Sequence, residues 1–155
     1  MSDKILFTDI DGVLNNKTLW HQTFNNGEGI ENPANYLSPK MIDILNRIIE
    51  STDCDVVISS SWRTEYSLNN LKKYMVDKGF LYPNKIIDVT PNISATKREY
   101  EVSVWLLRKT LKAYAILDDV CYGFEEVHPN QFIRTDSVFG LTDADADKVI
   151  KILNI

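Results

Sequence analysis

Apolar residues in this chain fall into two alternating patterns. Five short runs are apolar almost without interruption: "KILFT" (4–8), "DVVISS" (55–60), "KIIDVT" (85–90), "AYAILD" (113–118) and "QFIRTD" (131–136). Such runs predict strands buried on both faces, because a strand with one wet face would alternate. Between them lie segments with helical spacing. In "SPKMIDILNRIIEST" (38–52), Met41, Ile42, Leu45, Ile48 and Ile49 share a face, Ser38 is the cap and Pro39 takes the first position. "TEYSLNNLKKYMVDKG" (64–79) sets Leu68, Leu71 and Met75 along one side and stops at Gly79. "TKREYEVSVWLLRKTL" (96–111) opens with the capping box Thr96-x-x-Glu99. "TDADADKVIKILNI" (142–155) closes as a helix capped by Thr142, its early acids favouring the helix dipole.

Buried strands alternating with helices predict an α/β fold: a three-layer α/β/α sandwich around a mainly parallel sheet of about five strands. Right-handed crossovers bring every strand's C-terminal end to one edge, where ligands bind in such sheets. That edge is where Asp9, Asp11, Ser59, Ser60, Ser61, Asp118 and Asp119 would emerge. Residues 15–37, rich in Asn and Gly, break the alternation. They read as a small flap or minimal cap over that edge, or equally as an irregular surface loop.

The 155 residues predict a single domain with a sizeable core. Composition is that of an ordinary soluble protein, and no run approaches the roughly 18 apolar residues of a membrane span. "MSDKILF" is too short and too acidic for a signal peptide, so the expectation is a cytoplasmic protein with no membrane contact and no stable protein partner. A net charge of −5 gives no long-range attraction to nucleic acid or anionic lipid, although a local basic patch would still bind phosphate. Cys54 and Cys121 form no C-x-x-C pair and read as small buried thiols. His21 and His128 have no partner at metal-ligand spacing, and "DADAD" (143–147) lacks the glycine and final Glu of a calcium loop.

Candidate chemistry sits in two acidic pairs, each ending an apolar strand. Asp9 and Asp11 end the first, with Gly12 behind them to permit an unusual turn, and Asp118 and Asp119 end "AILDDV". Carboxylates gathered at one sheet edge repel unless a cation neutralises them, and an oxygen-rich pocket suits Mg²⁺.

Asp9-Ile10-Asp11-Gly12-Val13-Leu14 resembles the D-x-D-G-[TV]-L signature of the haloacid dehalogenase-like (HAD) superfamily. The family's other motifs follow in order. They are a Ser or Thr ending the next strand (Ser60, with Ser59 as fallback), a cation near a helix start (Lys97 or Arg98) and an acidic pair (Asp118, Asp119). "SSSWR", "R-x-x-E-x-x-x-W-L" (98–106), "ILDD" and "TD…GLT" (135–142) are similar to small phosphatase-like domains of nucleic-acid repair proteins, akin to polynucleotide 3′-phosphatases.

The resemblance implies a Rossmann-like fold and a Mg²⁺-dependent phosphomonoesterase. In it, Asp9 is the nucleophile that forms an aspartyl-phosphate, and Asp11 is the general acid and then base. Asp9, the Asp11 backbone carbonyl and Asp118 or Asp119 hold the metal. Ser60 and the N–H groups after it bind the phosphoryl oxygens, helped by a following helix N-terminus, and Lys97 or Arg98 offsets charge. Ser59, Ser61 and Arg63 are further phosphate-binding candidates. Arg63 either reaches substrate or pairs with an acid; Trp62 either stacks on a base or packs in the core; Trp105 is core. The expected substrate is a nucleic-acid 3′-phosphate end, or else a nucleotide or small phosphorylated metabolite. Competing readings are a phosphate-binding module without turnover and a metal-free dehalogenase; the second Asp of the first motif counts against the latter.

Overall fold

The computed structural model describes residues 1–93, 97–107 and 109–155. Five strands, β1 (Lys4–Thr8), β2 (Asp55–Ile58), β3 (Ile86–Val89), β4 (Ala113–Asp118) and β5 (Phe132–Arg134), form one parallel sheet in the order β3-β2-β1-β4-β5. β1 is central and pairs with β2 on one side and β4 on the other. The two-residue side-chain period splits each buried strand between two cores. Leu6, Val56, Ile58, Ala115 and Leu117 face one cluster, whereas Ile5, Phe7, Val57 and Ile116 face the other.

Helices cover both faces, giving the α/β/α sandwich that solid apolar strands require. The first cluster is closed by α3 (Pro39–Thr52), α4 (Leu68–Asp77) and α7 (Asp143–Leu153), through residues such as Leu45, Ile48, Leu71, Met75 and Val149. The second is closed by α5 (Arg98–Leu106) and the short α6 (Phe124–Val127), through Val102, Trp105 and Phe124. Ser38 caps α3 and Pro39 opens it. Thr142 caps α7 in a reciprocal capping box with Asp145, which accounts for the acidic run there. The expected box at Thr96 lies outside the described residues.

One expectation needs correction, and one of the two readings of residues 15–37 falls away. The segment 64–79 is not helical throughout: Ser61–Thr64 is a single 3₁₀ turn, and α4 begins only at Leu68 under a Ser67 cap. The Asn- and Gly-rich segment is not an irregular loop. It folds as α1 (Lys17–Asn25, capped by Asn16), α2 (Glu28–Glu31) and a 3₁₀ turn at Pro33–Tyr36 capped by Asn32. Asn residues favour caps and turns because their side chains compete for nearby backbone N–H groups. Here they punctuate helices. No helix among the described residues is long and apolar enough to cross a membrane.

Candidate active site

β1 delivers Asp9 while still in register, since the Asp9 N–H donates to the Leu117 carbonyl at 2.9 Å. The chain then turns tightly, with the N–H groups of Val13 and Leu14 both donating to the Ile10 carbonyl. The turn separates the two acids. Asp9 is buried, and its Oδ1 accepts the Ile10 N–H at 2.7 Å. Asp11 is carried the other way: its Oδ1 accepts from Asn15 Nδ2 (2.9 Å) and its Oδ2 from Trp62 Nε1 (3.1 Å). Gly12 sits at φ +81°, and a Cβ there would lie 2.8 Å from the Asp119 Cβ. Both the left-handed backbone and the approach of the second acidic pair therefore require glycine. Thr135, just past β5, donates its hydroxyl to the Gly12 carbonyl at 2.8 Å and fixes the turn from below.

β4 delivers the second pair. Asp118 is fully buried; its Oδ1 accepts the Val120 N–H at 3.0 Å. Oxygens of Asp9, Asp118 and Asp119 lie within 4.8 Å of one another, the one such acidic cluster found among the described residues. Arg98, the first residue of α5, reaches into it. Its Nη1 is 3.0 Å from Asp118 Oδ2 and 3.3 Å from Asp9 Oδ2. Tyr122, at φ +46°, holds its ring 4.8 Å from the guanidinium carbon.

The electrostatics follow from this crowding. Burial, and then the Asp118 charge, push the Asp9 carboxyl well above the usual carboxylate range, with Arg98 opposing. Burial likewise raises Asp118, to about 6. Burial disfavours the Arg98 charge, but Asp9 and Asp118 outweigh it and the guanidinium pKa rises. One cation shared between two buried carboxylates leaves the cluster short of positive charge, and its hard oxygen donors match a divalent ion such as Mg²⁺. The Asp11 carboxylate is held by Asn15 and Trp62, outside that cluster.

Of the two candidate cations, the structure brings Arg98 to the carboxylates. Lys97 is exposed, its ammonium 5.9 Å from the Tyr100 ring. Ser59 and Ser60 are both fully buried beyond the tip of β2. Ser60 Oγ accepts the Trp62 N–H, whereas Ser59 Oγ has no partner among the described residues. Ser61 is exposed at the start of the 3₁₀ turn. This single turn takes the place of the helix N-terminus expected after Ser60. Arg63 is turned away from the carboxylates: its Nη2 contacts both Glu101 carboxylate oxygens at 2.8 Å and its Nη1 donates to the Ser60 carbonyl at 2.7 Å. Trp62 packs in the core and also donates to Asp11.

Asn15, Thr135, Tyr122 and Glu101 complete the site's frame; Thr135 and Glu101 belong to the motifs quoted above, but no role at the site was read for any of the four. Asn15 also left a signal, a polar amide four residues after Asp11 at the close of an otherwise apolar turn. Asp11 borders two cavities. One, of about 440 Å³, is walled largely by aromatic rings from the α1–α2 insert and the 3₁₀ turn. The other, of about 250 Å³, is lined by Asn15, Asn16, Lys17, Ser137 and Asp119 and shares Trp20 with the first.

The family model for the HAD domain in Swiss Army Knife RNA repair proteins matches residues 5–146 of this chain. No curated protein and no solved structure matches it.

Proposed function

The chain belongs to this family of HAD domains, which supports phosphatase chemistry in general, and beyond that we propose a Mg²⁺-dependent phosphomonoester hydrolase acting through an aspartyl-phosphate on Asp9. The observation that carries the reading is the convergence of Asp9, Asp118 and Asp119 from two adjacent strand tips onto one point, with Arg98 already inserted between two of them. That arrangement suits a carboxylate that must approach an anion.

Asp9 attacks phosphorus, and the bond to the leaving oxygen breaks as Asp11 gives that oxygen a proton. Asp11, now a carboxylate, takes a proton from water as the water attacks the acyl phosphate. Inorganic phosphate leaves and Asp9 is regenerated. Asn15 and Trp62 hold Asp11 in place for both transfers. Arg98 offsets charge on the phosphoryl group, and the Ser59 and Ser60 hydroxyls bind its oxygens, with exposed Ser61 and Lys97 beyond. In this reading Arg63 acts by fixing the Ser60 carbonyl, not by touching phosphate. Asp9, Asp118 and Asp119, with the Asp11 backbone carbonyl, would hold Mg²⁺, which would supply positive charge to polarise the phosphoryl group.

The substrate that fits a repair-family domain is a nucleic-acid 3′-phosphate end. The net charge of −5 favours, as a second reading, a nucleotide or small phosphorylated metabolite. The test is hydrolysis of p-nitrophenyl phosphate with and without Mg²⁺, followed by 3′- and 5′-phosphorylated oligonucleotides, nucleotides and sugar phosphates. Asp9→Asn is expected to reduce turnover by at least about a thousandfold. Unchanged turnover in that variant removes Asp9 as nucleophile, and preference for free sugar phosphates ends the repair reading.

A further inference from the structure

The aromatic cavity beside Asp11 enters the steps above only through Asp11, Trp62 and Ser61; its other walls have no part in them. Its walls are Trp20, Phe24 and Tyr36 from the insert and Trp62 and Tyr66 from the turn after β2. Rings continue across both elements: Trp20 stacks on Phe24 (centroids 5.2 Å, planes 8° apart), Trp20 meets Tyr36 at 5.7 Å, Tyr36 meets Trp62 at 6.2 Å, and Trp62 meets Tyr66 at 5.6 Å. Rings in a closed core are covered, yet Phe24 is 60% exposed and Ile30, also on this wall, is 91% exposed. Gly29 is part of the construction, because a Cβ there would collide with the Tyr36 ring. Ser61 and Glu65, both exposed, also line it.

Position gives this surface its meaning. Asp11 lines the cavity, and the Trp62 indole that forms part of the wall donates to Asp11 Oδ2. The leaving oxygen must come to Asp11, so the group that carries it extends beyond Asp11 into one of the two cavities there. The smaller one, with Lys17 and Asn16, suits a sugar or a second phosphate. The aromatic one offers ring faces plus an acceptor at its edge, and its volume of about 440 Å³ lies within the ordinary range for small-molecule pockets. Flat heteroaromatic rings with N–H donors at their edges fit such a wall. We infer that this cavity is a nucleobase subsite: it stacks the base of the nucleoside whose phosphate is presented to Asp9, with Glu65 accepting from the base edge. This rests on the hydrolase reading and narrows it to substrates that carry a base next to the phosphate.

Two measurements separate the subsite from the hydrolase. In the first, the Asp9→Asn chain is titrated with adenosine, guanosine, cytidine and uridine, none of which carries phosphate, while tryptophan fluorescence is followed. At least one is expected to quench saturably, and Phe24→Ala, a change at an exposed ring, is expected to weaken that binding about tenfold. No saturable quenching by any nucleoside, or quenching indifferent to Phe24→Ala, overturns the subsite. In the second, kcat/KM is compared for adenosine 3′-monophosphate and for ribose 3-phosphate, which lacks the base. The ratio is expected to favour the nucleotide and to fall about tenfold in Phe24→Ala. A ratio near one overturns the subsite and leaves the hydrolase standing. Nucleoside binding without hydrolysis of any phosphate ester sinks the hydrolase and leaves a base-binding pocket.

Discussion

Trp62 connects parts of the site that the sequence keeps far apart. Its ring fills core space, and its N–H fixes the carboxylate assigned as acid and base. Trp62→Phe keeps most of the ring and deletes that donor. The expected result is a fall in kcat of about tenfold, in line with the loss of one hydrogen bond to a charged group, with the melting temperature little changed. A loss of packing alone would lower the melting temperature and leave kcat of the folded chain in place. Gly12→Ala attacks the same turn differently: it combines a left-handed φ with a collision against Asp119. It should destabilise the fold by on the order of 1–3 kcal/mol in urea denaturation and blunt any stabilisation by Mg²⁺. At this scale the sequence made the acids legible and left their holders hidden. Two carboxylates at the tip of a buried strand defy the strand's own chemistry, so they stand out. Asn15 and Tyr122 are ordinary polar residues whose importance comes only from what folding sets opposite them.

Among the elements, the most readable were those whose burial is one-sided and regular. Pro39–Thr52 and Asp143–Leu153 matched their patterns because apolar spacing, cap and first-turn residues all agree. The insert's helices gave no signal because they are short and mostly polar, so its few large rings show no helical stripe. The 3₁₀ turn at Ser61–Thr64 was hidden for another reason: it is held by a distant partner. Arg63 and Glu101 form an ion pair almost without solvent access, which links this turn to α5, and Glu101 also accepts the Ile93 N–H at 2.7 Å. Glu101→Gln leaves a buried guanidinium without its counter-charge. It should cost about 3 kcal/mol or more, read as a lower urea midpoint with unchanged slope. A shift within about 0.5 kcal/mol would mean that the pair is solvated in solution.

For the molecule as a whole, the acidic cluster makes stability depend on pH in the direction opposite to an ordinary salt-bridged carboxylate. Burial pushes the Asp118 carboxyl up to about 6 in the folded chain, above the 3.8 of a free Asp. The native state thus holds the extra proton, and the contribution is present below about pH 4 and lost as pH rises through about 6. Melting temperatures in EDTA, compared between the parent chain and Asp118→Asn, should diverge across that window, the parent losing ground as pH rises. Mg²⁺ should restore the parent more at pH 7.5 than at pH 5. A difference that stays flat with pH would show that Asp118 is not strained by its burial. The central place of β1 has a kinetic consequence as well. Its two neighbours come from widely separated parts of the chain, β2 following after the insert and α3, and β4 only after β3 and α5. Helical signal can return from local contacts, but Asp9 and Asp118 meet only when this long-range closure is complete. During refolding from denaturant, recovery of catalysis should therefore trail the far-ultraviolet signal, and the lag would time the docking of β4 beside β1.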